Sequence, residues 1–332
     1  MSKARADELI DELFARPDVQ GVSWAFLAVR GGEVIAERYG VRAANDFEPA
    51  ESVAADTTLL SWSMAKSITH AVVGILVADG LLDLDGPAQV PEWSGTDREP
   101  ITMMQLLEMR SGLGFAEDYV DGDSSNCIEM LFGNIDPSFG HYAASQPLEH
   151  APGAVFNYSS GTTNIVARII GDIVSGGPGG QPARRQAAVA TFLSERLFDP
   201  IGMQSAVAKF DQAGDFVGSS YVYATARDFA RFGELYLHDG IAAGGAGQRV
   251  LPAGWLDHAR TVSGHDDTSG LDYGRHWWLW QAFPGSLACH GYDGQFVAVF
   301  PDRDLVFAHL GQTSAAHNPG LLMRLARLVD AL

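Results

Sequence analysis

Lysine is almost missing from this chain, with three residues, Lys3, Lys66 and Lys209, among 332. Basic side chains of both kinds number 22 against 41 acidic ones, a net charge of -19, and they form no cluster. Nucleic acids are held by grouped positive charge, so they are excluded as partners. The acidic excess is read as ordinary solubility, and no substrate is drawn from it. Cysteine is scarcer still: Cys127 and Cys289 lie far apart with no CxxC, which leaves neither a disulfide framework nor a thiolate zinc site. His141, His150, His265, His276, His309 and His317 show no HExxH or other ligand spacing, so no metal and no cofactor is expected. No apolar run approaches the ~18 residues of a membrane span. The opening stretch MSKARADELIDELFARPDV is charged and amphipathic where a secretory signal would be continuously apolar, which predicts a first helix and residence in the cytoplasm. Also absent is any GxSxG pentapeptide, the strand-turn-helix elbow of many Ser-His-Asp hydrolases.

What is present is a composition 46% hydrophobic and 19% charged, enough for one large core or two modest ones. GVSWAFLAVRGGEVIAERYG contains two β-rich runs around Arg30-Gly31-Gly32. GQFVAVFPDRDLVFAHLGQ repeats the pattern around a Pro-Asp-Arg-Asp turn, and Leu321, Leu322, Leu325, Leu328 and Leu332 then follow at helical spacing. Between these ends, helical patterns cover 64–79, 101–109, 162–174 and 190–198, and strand signals are sparse. The glycine-rich stretches 175–182 and 242–248 read as loops. The expected fold is mixed α/β (α+β), a central antiparallel sheet flanked by helices and built from 1–59 and 211–332. A mostly helical domain, 60–210, is inserted into it, with a ligand cleft at the junction. No internal repeat is present.

One of the three lysines stands at the head of the most apolar helix candidate, SWSMAKSITHAVVGILVADG. Ser63 and Lys66 are three apart, so on a helix they share a face. Ser63 falls at the helix N-terminus, where unpaired N–H groups favour negative charge. Lys66, among Met64, Ala65, Ile68 and Val72, is desolvated, which disfavours its charged form and suits it to act as a base on a neighbouring hydroxyl. An N-capping serine followed by a snorkelling lysine produces the same four letters. What separates the two readings is the company: APGAVFNYSS at 151–160, leading into a helix, and CHGYDGQ at 289–295, opening a strand.

With these blocks the sequence resembles the serine β-lactamase and penicillin-binding-protein superfamily, in particular its class C-like branch with the 6-aminohexanoate-dimer hydrolases and family VIII esterases. The resemblance runs from roughly residue 20 to 312 and also includes GLLDLD, ITMMQLLEMRSGL and YATARDFARFGELYLHDG. It implies Ser63 as the acylated nucleophile, Lys66 as its general base and Tyr158 as the group that serves the leaving group. It further implies an oxyanion hole from the backbone N–H groups of Ser63 and Tyr292. Trp62, Ser160, Cys289, His290 and Gly291 would contact substrate. The chain departs from the family at two points. Tyr158 is followed by Ser159 and Ser160 where the pattern is Tyr-x-Asn, so the asparagine amide is missing unless Asn164 supplies it from the next helical turn. The third motif, commonly Lys or His, then Thr or Ser, then Gly, is here Cys289-His290-Gly291, which argues against efficient β-lactam cleavage and leaves esters and amides open.

Ser111, in a turn that resembles one of the family, is assigned to structure. Tyr119, Tyr142, Trp62 and the HWWLW stretch are candidates for an apolar pocket, most of them with core packing as their main role. GHDD at 264–267 is expected in a polar loop. The expected protein is a metal-free SxxK serine hydrolase, monomer or homodimer, acting on a small-molecule ester or amide through an acyl-enzyme on Ser63. The alternatives are a true β-lactamase or D,D-peptidase, and a non-catalytic binding protein on the same fold.

Overall fold

Alternating apolar side chains draw both ends of the chain into one sheet in the computed structural model, which describes residues 3–44, 49–119, 125–243 and 247–332. Its strands are β1 (Val22–Arg30), β2 (Glu33–Tyr39), β3 (Gly264–Asp266), β4 (Leu271–Tyr273), β5 (Trp278–Leu279), β6 (Leu287–Gly291), β7 (Gln295–Phe300) and β8 (Leu305–Gln312). They lie in the order β2-β1-β8-β7-β6-β5-β4-β3, and each pairs antiparallel with its neighbour. β1 turns into β2 through Gly31 and Gly32 at φ +59° and +75°, the left-handed pair that suits a two-residue hairpin.

Among the described residues, six helices of twelve residues or more accompany the sheet: α1 (Lys3–Ala15), α2 (Ala65–Ala78), α3 (Ser160–Ser175), α4 (Pro182–Leu193), α5 (Ala226–Leu237) and α6 (Asn318–Ala331). On one face of the sheet Phe26, Phe296 and Phe307 pack with Leu9 and Leu13 of α1 and Leu321 and Leu325 of α6. On the other, Leu27, Val297, Val299 and Val306 share a core with α2, α3 and α5. With helices on both faces, β7 is buried at all six of its positions, which explains its unbroken apolar run. Each fully buried Leu, Val or Phe in these layers contributes ~1.5–3 kcal/mol.

Three local expectations change. The helix expected over 190–198 begins at Pro182 and passes into a wider π turn at Ser194–Phe198. Proline at the first helical position is preset for helix, and the exposed, polar first turns hide the periodicity. GHDD is not a loop, since Gly264–Asp266 forms β3 and pairs with β4. Two helices too short to show a period, Asn126–Phe132 and Phe139–Ala144, are each started by a serine N-cap, Ser125 and Ser138. Gly176–Gln181 forms the expected loop between α3 and α4. Of the stretch 242–248, residues 244–246 lie outside the described residues. Among the described residues no helix is long and apolar enough to cross a membrane, and no three His, Cys, Asp or Glu side chains gather as a metal-ligand group.

Candidate active site

Ser63 sits in a single 3-10 turn, Trp62–Met64, that runs straight into α2. The turn depends on a strained residue: Trp62 has φ +44°, a left-handed conformation that costs a bulky side chain ~1–3 kcal/mol. Buried Ser61 holds it there. The Ser61 N–H donates to the Val222 carbonyl at 2.8 Å, the Val222 N–H donates back to Ser61 Oγ at 3.1 Å, and the Met64 N–H closes the turn on the Ser61 carbonyl at 3.2 Å. β6 presses on the same point. A Cβ added at Gly291 would stand 2.3 Å from the Ser61 carbonyl oxygen, so only glycine fits the end of that strand.

One helical turn on, Lys66 is 1% exposed, and its Nζ lies 3.0 Å from Ser63 Oγ, 2.9 Å from Ser160 Oγ and 3.1 Å from the Ser219 carbonyl oxygen. Burial pushes its pKa below the usual lysine value, and the nearby Glu117 carboxylate works in the opposite direction. Ser160 opens α3, capped by Ser159 Oγ, which accepts from the Thr162 N–H at 2.9 Å. Glu117 meets that helix end: the Ser160 N–H donates to its Oε2 at 2.7 Å and the Ser160 hydroxyl donates to its Oε1. The Tyr119 hydroxyl donates to Oε1 as well, at 2.7 Å.

Tyr158 immediately precedes the cap of α3. Lys66 Nζ stands over its ring, 4.8 Å from the centroid, and the ring is boxed by Tyr273 at 5.6 Å and Trp278 at 5.3 Å. Burial pushes the phenol pKa far up, the Glu117 charge adds to the rise, and hydrogen bonding with Ser63 opposes both. The phenol is therefore protonated at rest. These groups open on a cleft of about 720 Å³ whose walls include Ser63, Glu117, Tyr158, Trp278, His290 and Tyr292.

The chain's third-motif residues divide between two sides of one strand. His290 lines the cleft, where the Trp280 Nε1–H donates to its Nε2 at 2.8 Å. An indole N–H only donates, so Nε2 is the acceptor and the ring proton is on Nδ1. Burial lowers the His290 pKa to about 3, leaving the ring uncharged. Cys289 is a correction to the sequence reading. It is 1% exposed, faces the α2 side core with Val297, and does not line the cleft, because neighbours on a strand point to opposite faces. Trp62 and Tyr292 meet edge to face at 5.8 Å, and Tyr119 reaches Tyr292 at 5.2 Å, forming an aromatic rim.

Asn164 does not stand in for the missing amide. Its Nδ2 donates to Ser219 Oγ at 3.1 Å and its Oδ1 accepts from the Ser219 N–H at 3.3 Å, so it braces the residue whose carbonyl holds Lys66. The asparagine's place beside Lys66 is taken by Ser160. Glu117 and Ser219 were not singled out from the sequence. No fixed spacing ties either to Ser63, and Ser219 contributes only backbone; the one signal for Glu117 is a carboxylate in the loop that follows the Ser111 turn.

The chain matches the family model described as Beta-lactamase over residues 6–330. It is 29% identical to the 6-aminohexanoate-dimer hydrolase of Paenarthrobacter ureafaciens over 93% of this chain and 79% of that protein. Its fold resembles the crystal structure of a family VIII carboxylesterase (TM-score 0.70, 16% identity, 98% of this chain and 97% of that one). It also resembles a penicillin-binding protein homologue from Caulobacter crescentus (TM-score 0.72, 16% identity, 98% and 97% covered).

Proposed function

The chain belongs to the β-lactamase family, and from that premise we propose that it is a serine hydrolase that cleaves carboxylic esters or amides through an acyl-enzyme on Ser63. The observation that carries this reading is the 3.0 Å approach of a buried, desolvated lysine amine to the Ser63 hydroxyl. In its neutral form Lys66 takes the Ser63 proton as the oxygen attacks the substrate carbonyl. The N–H groups of Ser63 and Tyr292 receive the developing oxyanion. Tyr158, protonated at rest, passes a proton to the departing alcohol or amine and is restored from Lys66. Water then enters the cleft and releases the acid by the same transfers in reverse.

Esters come first among substrates, linear or cyclic amides next and β-lactams last. An uncharged His290 offers no cation to a β-lactam carboxylate, and the chain is similar to a 6-aminohexanoate-dimer hydrolase and, in fold, to a family VIII carboxylesterase. The test runs p-nitrophenyl esters, an aminohexanoate dimer and a chromogenic cephalosporin in parallel, with Ser63→Ala beside the unaltered protein. Turnover and labelling by a serine-directed phosphonate should both vanish in the variant. Labelling that persisted there would remove Ser63 from its role.

A further inference from the structure

Glu117 lies outside the Ser63, Lys66 and Tyr158 set, yet its hydrogen bonds fix which way protons point across the site. A carboxylate only accepts. It takes the Ser160 N–H on one oxygen, at 2.7 Å, and the Ser160 hydroxyl proton on the other. A serine hydroxyl has one proton, so toward Lys66, 2.9 Å away, Ser160 Oγ is left as an acceptor. The Ser219 carbonyl, 3.1 Å from the same amine, is also only an acceptor. A neutral amine has two N–H bonds and one lone pair. With both N–H bonds directed to Ser160 and Ser219, the lone pair faces the remaining neighbour, Ser63 Oγ at 3.0 Å.

We propose that Glu117 is a positioning residue which, through Ser160, sets the hydrogen-bond polarity of Lys66 so that its lone pair faces the Ser63 hydroxyl. The proposal rests on the hydrolase reading above. Its step is a plain proton transfer, in which the Ser63 O–H bond breaks, an N–H bond forms on Lys66, and the oxygen keeps the electron pair with which it attacks. The ammonium then has a carboxylate beyond Ser160 as its counter-charge. The other titratable groups around Lys66 are uncharged at neutral pH. Cys127, on the short helix Asn126–Phe132, is a buried thiol with its pKa pushed up to about 12. Tyr158 is a half-buried phenol whose pKa desolvation raises, and His276, ahead of β5, is a buried imidazole lowered to about 3.

The test is the second-order rate constant for phosphonylation of Ser63 by a p-nitrophenyl phosphonate, measured against pH on the full chain, with Glu117→Gln and Glu117→Asp. In the glutamine variant the Ser160 backbone N–H cannot turn, so it keeps the amide oxygen. The amide NH₂ then faces the Ser160 hydroxyl and sends its proton toward Lys66, competing for the lone pair. The plateau rate should fall at least ~10-fold, a modest part of what a positioned base supplies. The acid limb should move to lower pH, because the ammonium has lost its counter-charge. In the aspartate variant the charge remains on a shorter arm, so the limb stays in place and the plateau falls. A plateau within about twofold of the unaltered protein in either variant, small against the contribution of a base, or a glutamine limb that does not move, overturns the proposal. If the glutamine variant is recovered unfolded, the aspartate plateau decides alone. Labelling that survives Ser63→Ala defeats the hydrolase reading itself, whereas its loss there with unchanged Glu117 profiles defeats only the role of Glu117.

Discussion

Gly291→Ala is the sharpest single perturbation the geometry offers. The added methyl would meet the Ser61 carbonyl oxygen at 2.3 Å and Gln295 Cβ at 2.9 Å. Carbon and oxygen without a bond between them do not approach that closely, so β6 and the Ser61–Trp62 backbone must separate by most of an ångström. Neither side yields freely, since Ser61 is tied to Val222 and β6 is paired with β7. The two N–H groups proposed to form the oxyanion hole, on Ser63 and Tyr292, sit one or two residues from the collision and move apart with it. Displacements of this size cost ~10²-fold in rate, and loss of one oxyanion donor costs ~10²–10³. We therefore expect kcat to fall ~10²–10³-fold with KM little changed, because the donors act on charge that exists only in the transition state. Overpacking should lower stability by ~1–3 kcal/mol, visible as a lower Tm. The measurement is steady-state hydrolysis of a p-nitrophenyl ester alongside thermal unfolding. A folded Gly291→Ala protein with kcat within about twofold of the parent, against the loss expected of a damaged oxyanion hole, would refute the pairing of strand end and nucleophile turn.

Three further outcomes concern Lys66 and its brace. If Lys66 is the base, as proposed, it must be neutral to act, so kcat/KM should rise with pH through an acid limb set by Lys66, and burial places that limb below the ordinary lysine value of ~10.4. Lys66→Ala should lower kcat/KM ~10²–10⁴-fold and flatten the limb, and a limb that survives in this variant assigns the titration elsewhere. Asn164→Ala leaves the buried Ser219 N–H without its acceptor, while the Ser219 hydroxyl keeps Ser220 Oγ at 2.8 Å, and the orphaned N–H should cost ~1–3 kcal/mol in urea unfolding. An unchanged midpoint would show that Ser219 needs no brace.

Periodicity made the frame legible. The alternation in 22–39 and 295–312 and the leucine spacing after Leu321 correspond to β1, β2, β7, β8 and α6. The Ser63 and Lys66 pair was equally readable, because three residues on a helix leave little freedom in where two side chains meet. Tyr158 is different: nothing local marks it, and only its motif singled it out. Glu117, through Ser160, and Ser219, directly, act on Lys66 from separate segments of the chain, so no spacing rule could have shown them. Cys289 misled because a motif lists consecutive letters, whereas a strand sends consecutive side chains to opposite faces. The early start of α4 was hidden because its first turns bury little apart from Arg185.

The middle of the sheet joins partners that are remote in the polypeptide, with Val22 of β1 opposite Gln312 of β8, 290 positions later. Closing so large a loop carries an entropy penalty before any ladder bond compensates it, and folds dominated by such pairings assemble slowly. β6, which confines the Ser63 turn, is joined to β1 through β7 and β8. Competence for acylation should therefore appear late in refolding, after the helical signal has recovered, as a kinetic marker for closure of the whole ladder.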